Sequence, residues 1–211
     1  MTFEQLITLT RTKMEEFSPF NHTALIAAPQ IPGFEDKPVQ SYIEQNMEEA
    51  ANSVLMMLPL RLIIPEDIAI VSQKINKDGS GSVEIGDDYL RLHSFKMKSW
   101  EKEVNFAIDE THPLYIIQDN PYTMGNSYKP VVVFKQNSYT KELRYYSCPR
   151  KDKTHDIEYA RQVTRFNKNY IQDSLAEFYA TKCAELVYKI YGMADNATIM
   201  QVELEKMIAT R

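Results

Sequence analysis

Residues 68–98 read IAIVSQKINKDGSGSVEIGDDYLRLHSFKMK, and this stretch decides the fold. Three runs in it, 68–75, 82–85 and 89–98, are rich in the β-branched and aromatic residues that strands favour. KDGSGS after Ile75 carries the glycines of a tight turn, so the first two runs read as a hairpin. In the third run the apolar residues alternate as Leu90 and Leu92, then as Phe95 and Met97. The phase changes near Ser94, as a β-bulge would make it do. Two more strands are expected at 130–136 (PVVVFKQ) and 142–148 (ELRYYSC), joined by QNSYTK. Residues 156–163 (DIEYARQV) fit strand or helix. The linker 99–129 holds Pro113, Pro121 and Gly125 and reads as a loop with a short helical turn near 103–108.

Helical periodicity flanks this block on both sides. Residues 3–17 place Leu6, Leu9 and Met14 near one face, with Thr2 as the cap and Ser18-Pro19 as the stop. Residues 18–37, with three prolines and Gly33, form an irregular connector whose TALIAAPQI run is apolar. Residues 38–58 carry a broad stripe of Ile43, Met47, Ala50, Ala51, Val54, Leu55 and Leu58, ended by Pro59. Residues 170–191 place Ile171, Leu175, Phe178, Leu186 and Ile190 on one face, with Asn169 as the cap and Gly192 as the C-terminal glycine. A last helix, 197–209, starts at Asn196 and offers Ile199, Val202 and Met207. The fold class is therefore α+β: a helical bundle from the N- and C-terminal helices with an inserted antiparallel β-rich module. The 211 residues suit a single domain, 1–211. It comprises N-terminal helices and connector (1–60), a β-rich insert (61–165) and C-terminal helices (166–211).

Composition excludes several classes of function. Hydrophobic residues at 44% and charged residues at 25% match neither a disordered tail nor a membrane protein. The longest apolar patch, Val54 to Ile64, is interrupted by Pro59 and Arg61. It falls short of the ~18 apolar residues of a span. The N-terminus lacks the basic start and apolar core of a signal peptide. Two separated cysteines, Cys148 and Cys183, cannot build a disulfide framework or a four-cysteine zinc site, and they fit a reducing compartment. The net charge of −5 does not favour a polyanion partner. Its distribution is uneven: residues 1–60 have 3 basic and 8 acidic side chains, and residues 141–170 have 8 and 4. The basic segment reads either as a solvated face or as an interface formed by Arg144, Arg150, Lys151, Lys153, Arg161, Arg165 and Lys168. Their expected counterpart is the acidic N-terminal region of a neighbouring copy.

The clearest chemical lookalike is Asn76 to Asp87, NKDGSGSVEIGD. On a calcium-binding loop it would place Asn76, Asp78 and Ser80 as ligands, Gly81 at the sharp turn and Asp87 at the last position. Asn76 and Asp87 stand where Asp and Glu are usual, and the flanks read as strands, so a plain hairpin is the expected reading. The histidines, His22, His93, His112 and His155, show no metal-pair spacing and read as surface or half-buried side chains. Cys183 falls within an apolar helix pattern. No nucleophile elbow, phosphate loop or zinc-protease signature occurs. Tyrosines at 115, 122, 128, 139, 145, 146 and 159 and ten methionines supply either sheet core or contact surface.

From Gly86 to Val104, GDDYLRLHSFKMKSWEKEV resembles the ring or adaptor proteins at the head–tail junction of short-tailed phages, crAss-like phages in particular. Asp87, Asp88, Tyr89, Leu90, Arg91, Leu92, Ser94, Phe95, Met97 and Trp100 stand on that family's motif, and Gly86 replaces its usual proline. HPLYIIQDN, KPVVVF, LRYYSC and LAEFYATKCAELVYKIYG follow in the family's order, so the resemblance covers roughly 85–190. It implies a structural virion protein of the phage neck, a homo-oligomeric ring of twelve copies docked beneath the portal. DNA would pass through its lumen without sequence-specific binding, and later tail rings would build on it. Cofactors, catalysis and membrane contact are not expected of such a protein. The alternatives are a calcium-binding module through residues 76–87 and a small enzyme whose site is assembled from distant residues.

Overall fold

The computed structural model describes residues 1–17, 39–120, 122–137 and 140–211; the expected connector at 18–37 lies outside them. In chain order the elements are α1 (Phe3–Phe17), α2 (Val39–Met57), β1 (Glu66–Asp67), β2 (Ile70–Ile75), β3 (Gly81–Ile85), β4 (Tyr89–Met97), α3 (Pro113–Ile116), β5 (Val132–Gln136), β6 (Lys141–Tyr145), β7 (Ile157–Thr164), α4 (Ala176–Ile190) and α5 (Ala194–Ala209). Helices occupy both ends of the chain and antiparallel strands its middle, an α+β fold. The chain divides into two compact units. Met1–Ile63 with Phe166–Arg211 is helical, and Ile64–Arg165 holds every strand among the described residues.

In the helical unit, Thr2 opens α1 as half of a reciprocal cap. Its Oγ1 accepts from the Gln5 N–H at 3.2 Å, and its own N–H donates to Gln5 Oε1 at 2.9 Å. The α2 stripe is buried as its spacing predicts, from Ile43 through Leu58. Helix α4 is the hub, packing on α1, α2 and α5. It is buried on more than one face: Phe178, Cys183, Val187 and Tyr188 are covered, and so is Glu185, which Lys182 and Lys189 pair at 2.9 and 2.6 Å. Tyr188 donates its hydroxyl to the Met14 carbonyl at 2.6 Å.

The helix boundaries differ from the sequence reading in defined ways. Asn169 does not cap α4. Asn167 organises the turn before it, accepting from the Asn169 N–H, and a 3-10 turn at Asp173–Leu175 precedes the helix. Gly192 (φ 71°) does end α4. Its N–H reaches the Lys189 carbonyl and the Met193 N–H reaches that of Tyr188, which closes the left-handed C-terminal motif. Helix α5 then begins at Ala194, so Asn196 lies inside it. Its buried face is Ala197, Met200 and Leu204, while Ile199 and Val202 are exposed.

The β-rich module contains two sheets. One is three-stranded in the order β1-β7-β4, the other four-stranded in the order β2-β3-β6-β5, and both are antiparallel. Residues 156–163, ambiguous in sequence, are strand from Ile157 onward. The β4–β7 register shifts between Leu92 and Ser94, where the phase change places a bulge, and again near both strand ends. The shifts send Tyr89, Leu92, Phe95 and Met97 into the core and leave Leu90 half-buried. Trp100 is buried beyond the strand end, its ring 5.7 Å from Phe95 and 6.4 Å from Tyr145. The helical turn of the long linker lies at 113–116 and not at 103–108. Pro113 starts it and His112 Nδ1 caps it, accepting from the Leu114 N–H at 3.1 Å. Residues 103–108 instead run beside strands: Val104 bridges to Phe95 and Ile108 to Val133.

Candidate functional site

The Asn76–Asp87 loop is a hairpin whose acidic residues do not converge. Asp78 Oδ1 accepts from both the N–H and the hydroxyl of Ser80, at 3.0 and 2.7 Å. Burial alone would raise its carboxyl, but the Ser80 hydrogen bonds outweigh that and hold it below the usual range. Asp87 sits beyond the far end of β3, pairing with Lys141 at 3.1 Å. Five residues of strand lie between the two carboxylates, a span of ~17 Å at ~3.4 Å per residue. One cation cannot be held by both, and the described residues form no group of three metal-binding side chains. The tip is also less free than its composition implies. Gly79 (φ 90°) and Ser80 are buried, and the Gly79 carbonyl accepts from the Cys148 N–H at 3.1 Å. A Cβ on Gly79 would meet the Cys148 carbonyl oxygen at 2.2 Å, so only glycine permits this approach.

Beneath the hairpin lies a polar cluster that histidine spacing could not reveal. His155, read as surface or half-buried, is wholly buried with φ 46°, in the left-handed region. Its Nδ1 lies 3.0 Å from the Tyr145 hydroxyl. Gln73 Nε2 donates to that hydroxyl at 3.1 Å and to the His155 carbonyl at 2.9 Å. Asp152 Oδ1 accepts the His155 N–H. Burial pushes the Tyr145 phenol up to about 12 and raises the Cys148 thiol. Both therefore stay protonated at neutral pH, where a nucleophile would need the anion. The cluster ties β2, β6 and the 148–155 segment together. The other cysteine, Cys183, is core as its sequence pattern indicates, and burial lifts its thiol to about 12.

The basic side chains of 141–170 stand on several elements. Arg150, Lys151 and Lys153 share the loop after β6; Arg150 and Lys151 are exposed, and so is Lys153. Arg144 on β6 lies over the Tyr146 ring at 5.2 Å. Arg161, on β7 of the other sheet, lies over Tyr159 and reaches Asp67 at 3.8 Å. Arg165 follows β7, and its N–H donates to the Asp88 carbonyl. Lys168 belongs to the helical unit and lies over the Phe3 ring. What the structure adds to Arg150 and Lys153 is Lys77. With Ile75, Asn76 and Asp152, the three line a groove of about 310 Å³.

Exposed apolar residues complete the picture. Ile70, Val71 and Ile75 stand uncovered on β2, an edge of the four-stranded sheet. Beyond its other edge, Phe106, Leu114 and Ile116 are exposed, and Phe106 and Leu114 line a groove of about 220 Å³ that reaches Val131 and Val132. Both clusters escaped the sequence reading, because an exposed and a buried isoleucine look alike in a strand or loop. The tyrosines divide: Tyr145 and Tyr146 are core, while Tyr122 and Tyr128 are exposed. Among the described residues no helix is long and apolar enough to cross a membrane. No family model matches the chain, and no curated protein matches it.

Proposed function

We propose that this protein is a structural component of a bacteriophage virion. It is a ring-forming adaptor of the head–tail neck, associating with itself, with the portal and with further tail rings around the DNA passage. The reading is carried by the Asp87–Trp100 run on which the resemblance rests. That run supplies β4, and its Tyr89, Leu92, Phe95, Met97 and Trp100 all lie in the core of the β unit. A segment that builds a rigid scaffold suits a protein gripped from both sides. Burial holds Tyr145 and Cys148 of the cluster protonated, and His155 is hydrogen-bonded to the Tyr145 hydroxyl, which suits structure more than turnover. Native mass spectrometry of the full chain tests the proposal. The expected result is one closed species at an integer multiple of 24.5 kDa, twelve copies by the resemblance, seen as a ring by electron microscopy. A chain that stays monomeric alone and in the presence of a portal ring overturns it.

A further inference from the structure

The two ends of the four-stranded sheet differ in charge as well as in sequence. At the β2 end, Ile70, Val71 and Ile75 are exposed, Val71 to 67%. The chain around Ile75, 73–78 and 149–153, holds five basic residues to two acidic, net +3, while Glu66 and Asp67 precede Ile70. At the opposite end, the segment bridging onto β5 exposes Phe106 at 65% and Ile116 at 72%. Residues 101–118 hold four acidic residues to one basic, net −3. The β5 edge is partly satisfied within the chain, since the Ile108 N–H donates to the Val132 carbonyl and the Phe134 N–H donates to that of Ile108. The β2 edge has β3 on one side and no strand on the other among the described residues. Three strand spacings and the bridging segment separate the ends by ~19 Å.

We infer that these ends are the two halves of one contact: the β2 end of one copy seats against the Phe106 end of the next. Each is an exposed apolar patch with a charged rim, and the rims are opposite in sign, so the occupant that fits either surface is a second copy of this chain. The groove beside Phe106 and Leu114 receives an apolar side chain from β2. The groove between Lys77, Arg150 and Lys153 receives carboxylates such as Glu101 and Glu103. Because the two surfaces differ, the contact is head-to-tail. Every copy added leaves one unused surface at each end, until rotation closes a ring. Closure is where the inference rests on the ring reading; the pairing of surfaces does not need it.

Two double variants of the full chain test it, Val71→Asp/Ile75→Asp and Phe106→Asp/Ile116→Asp, read by native mass spectrometry. The four side chains are exposed, and unchanged Trp100 emission and helical circular dichroism verify the fold. Each variant alone is expected to lose assembly and run as a monomer. Mixed in equal amounts they should form a 1:1 dimer, since each keeps the surface the other has lost. Added salt should weaken wild-type assembly by screening the rims. If the wild-type ring forms and either variant still forms it, the pairing is overturned while the ring reading stands. If the wild type gives a ladder of open chains that both variants abolish, the pairing stands and the ring reading falls. A wild type that never assembles, or a mixture that stays monomeric, overturns the pairing.

Discussion

Phe95→Ala measures how far the resemblance motif acts as scaffold. Phe95 is fully buried, with the Trp100 and Tyr145 rings 5.7 and 6.2 Å away. It sits one residue past the Leu92/Ser94 register shift, so β4 cannot slide to fill the vacancy without losing its bulge. The neighbours are aromatic and anchored on β6 and at the end of β4, which limits collapse into the hole. The loss should therefore fall in the usual range for such truncations, about 3–5 kcal/mol. That is a large part of a domain's ~5–15 kcal/mol. Trp100 is the chain's single tryptophan and lies inside the β unit, so its emission reports unfolding of that unit specifically. In a urea titration the emission midpoint should drop by at least about 1 M, taking a slope of ~1–3 kcal/mol/M. Phe95→Leu, which keeps most of the volume, should drop it less. If the alanine variant unfolds within ~0.3 M of wild type, β4 is not a scaffold strand, and the motif's role must be sought on the surface.

Three further outcomes check the packing. Gly81→Ala should destabilise by about 1–3 kcal/mol, because its Cβ would stand 2.2 Å from the Tyr145 hydroxyl and 2.6 Å from the Lys74 carbonyl oxygen. Gly192→Ala, in open space at φ 71°, should cost only the ~1–2 kcal/mol of left-handed backbone; thermal melts separate the two. Tyr145→Phe removes the hydroxyl that His155 and Gln73 share, and should cost about 1–3 kcal/mol in the same urea titration. Glu185 supplies an acid limb. Burial alone would raise its carboxyl, but Lys189 and Lys182 outweigh that and hold it below the usual value. A carboxylate depressed in the fold stabilises fully above its unfolded pKa and loses that contribution as pH falls through the folded one. The helical melting temperature should therefore fall more steeply below about pH 4.5 in wild type than in Glu185→Gln.

Legibility in the sequence followed the strength of periodicity. The α2 stripe is readable residue by residue because its alanines, methionines and leucines recur on one broad face. The β4 bulge is readable because one inserted residue is the simplest way for a strand to reverse its apolar parity and still face one core. Helix α5 is not, since it carries two apolar stripes, Ala197/Met200/Leu204 and Ile199/Val202. Only packing against α4 decides between them. The 113–116 turn does carry a sequence signal, Pro113 behind a capping His112, but a single turn is too short to show a hydrophobic period. The basic segment divides for a topological reason. Residues 141–170 are contiguous in sequence, but their basic side chains fall on β6, on the loop after it, on β7 of the other sheet and, with Lys168, on the helical unit.

The charge that remains together has a consequence for how β2 is used. An exposed apolar edge strand pairs readily with its own copy, and proteins blunt such edges with lysines and bulges. Strand β2 has both, Lys74 and the register shift at Ile70/Ser72, yet it keeps Ile70, Val71 and Ile75 uncovered. Full protection would have replaced those side chains as well. Lysine beside exposed isoleucine does something narrower. Two β2 edges brought together at their Ile75 ends would set Lys74 and Lys77 of each against a surface of the same sign, with Arg150 and Lys153 adding to the repulsion. An approaching acidic face meets the same groups as partners. On the proposed pairing, the edge charges would select against the symmetric pair of Ile75 ends while leaving apolar area for an unlike surface. A contact between unlike surfaces is what a ring requires and what a two-fold dimer would preclude.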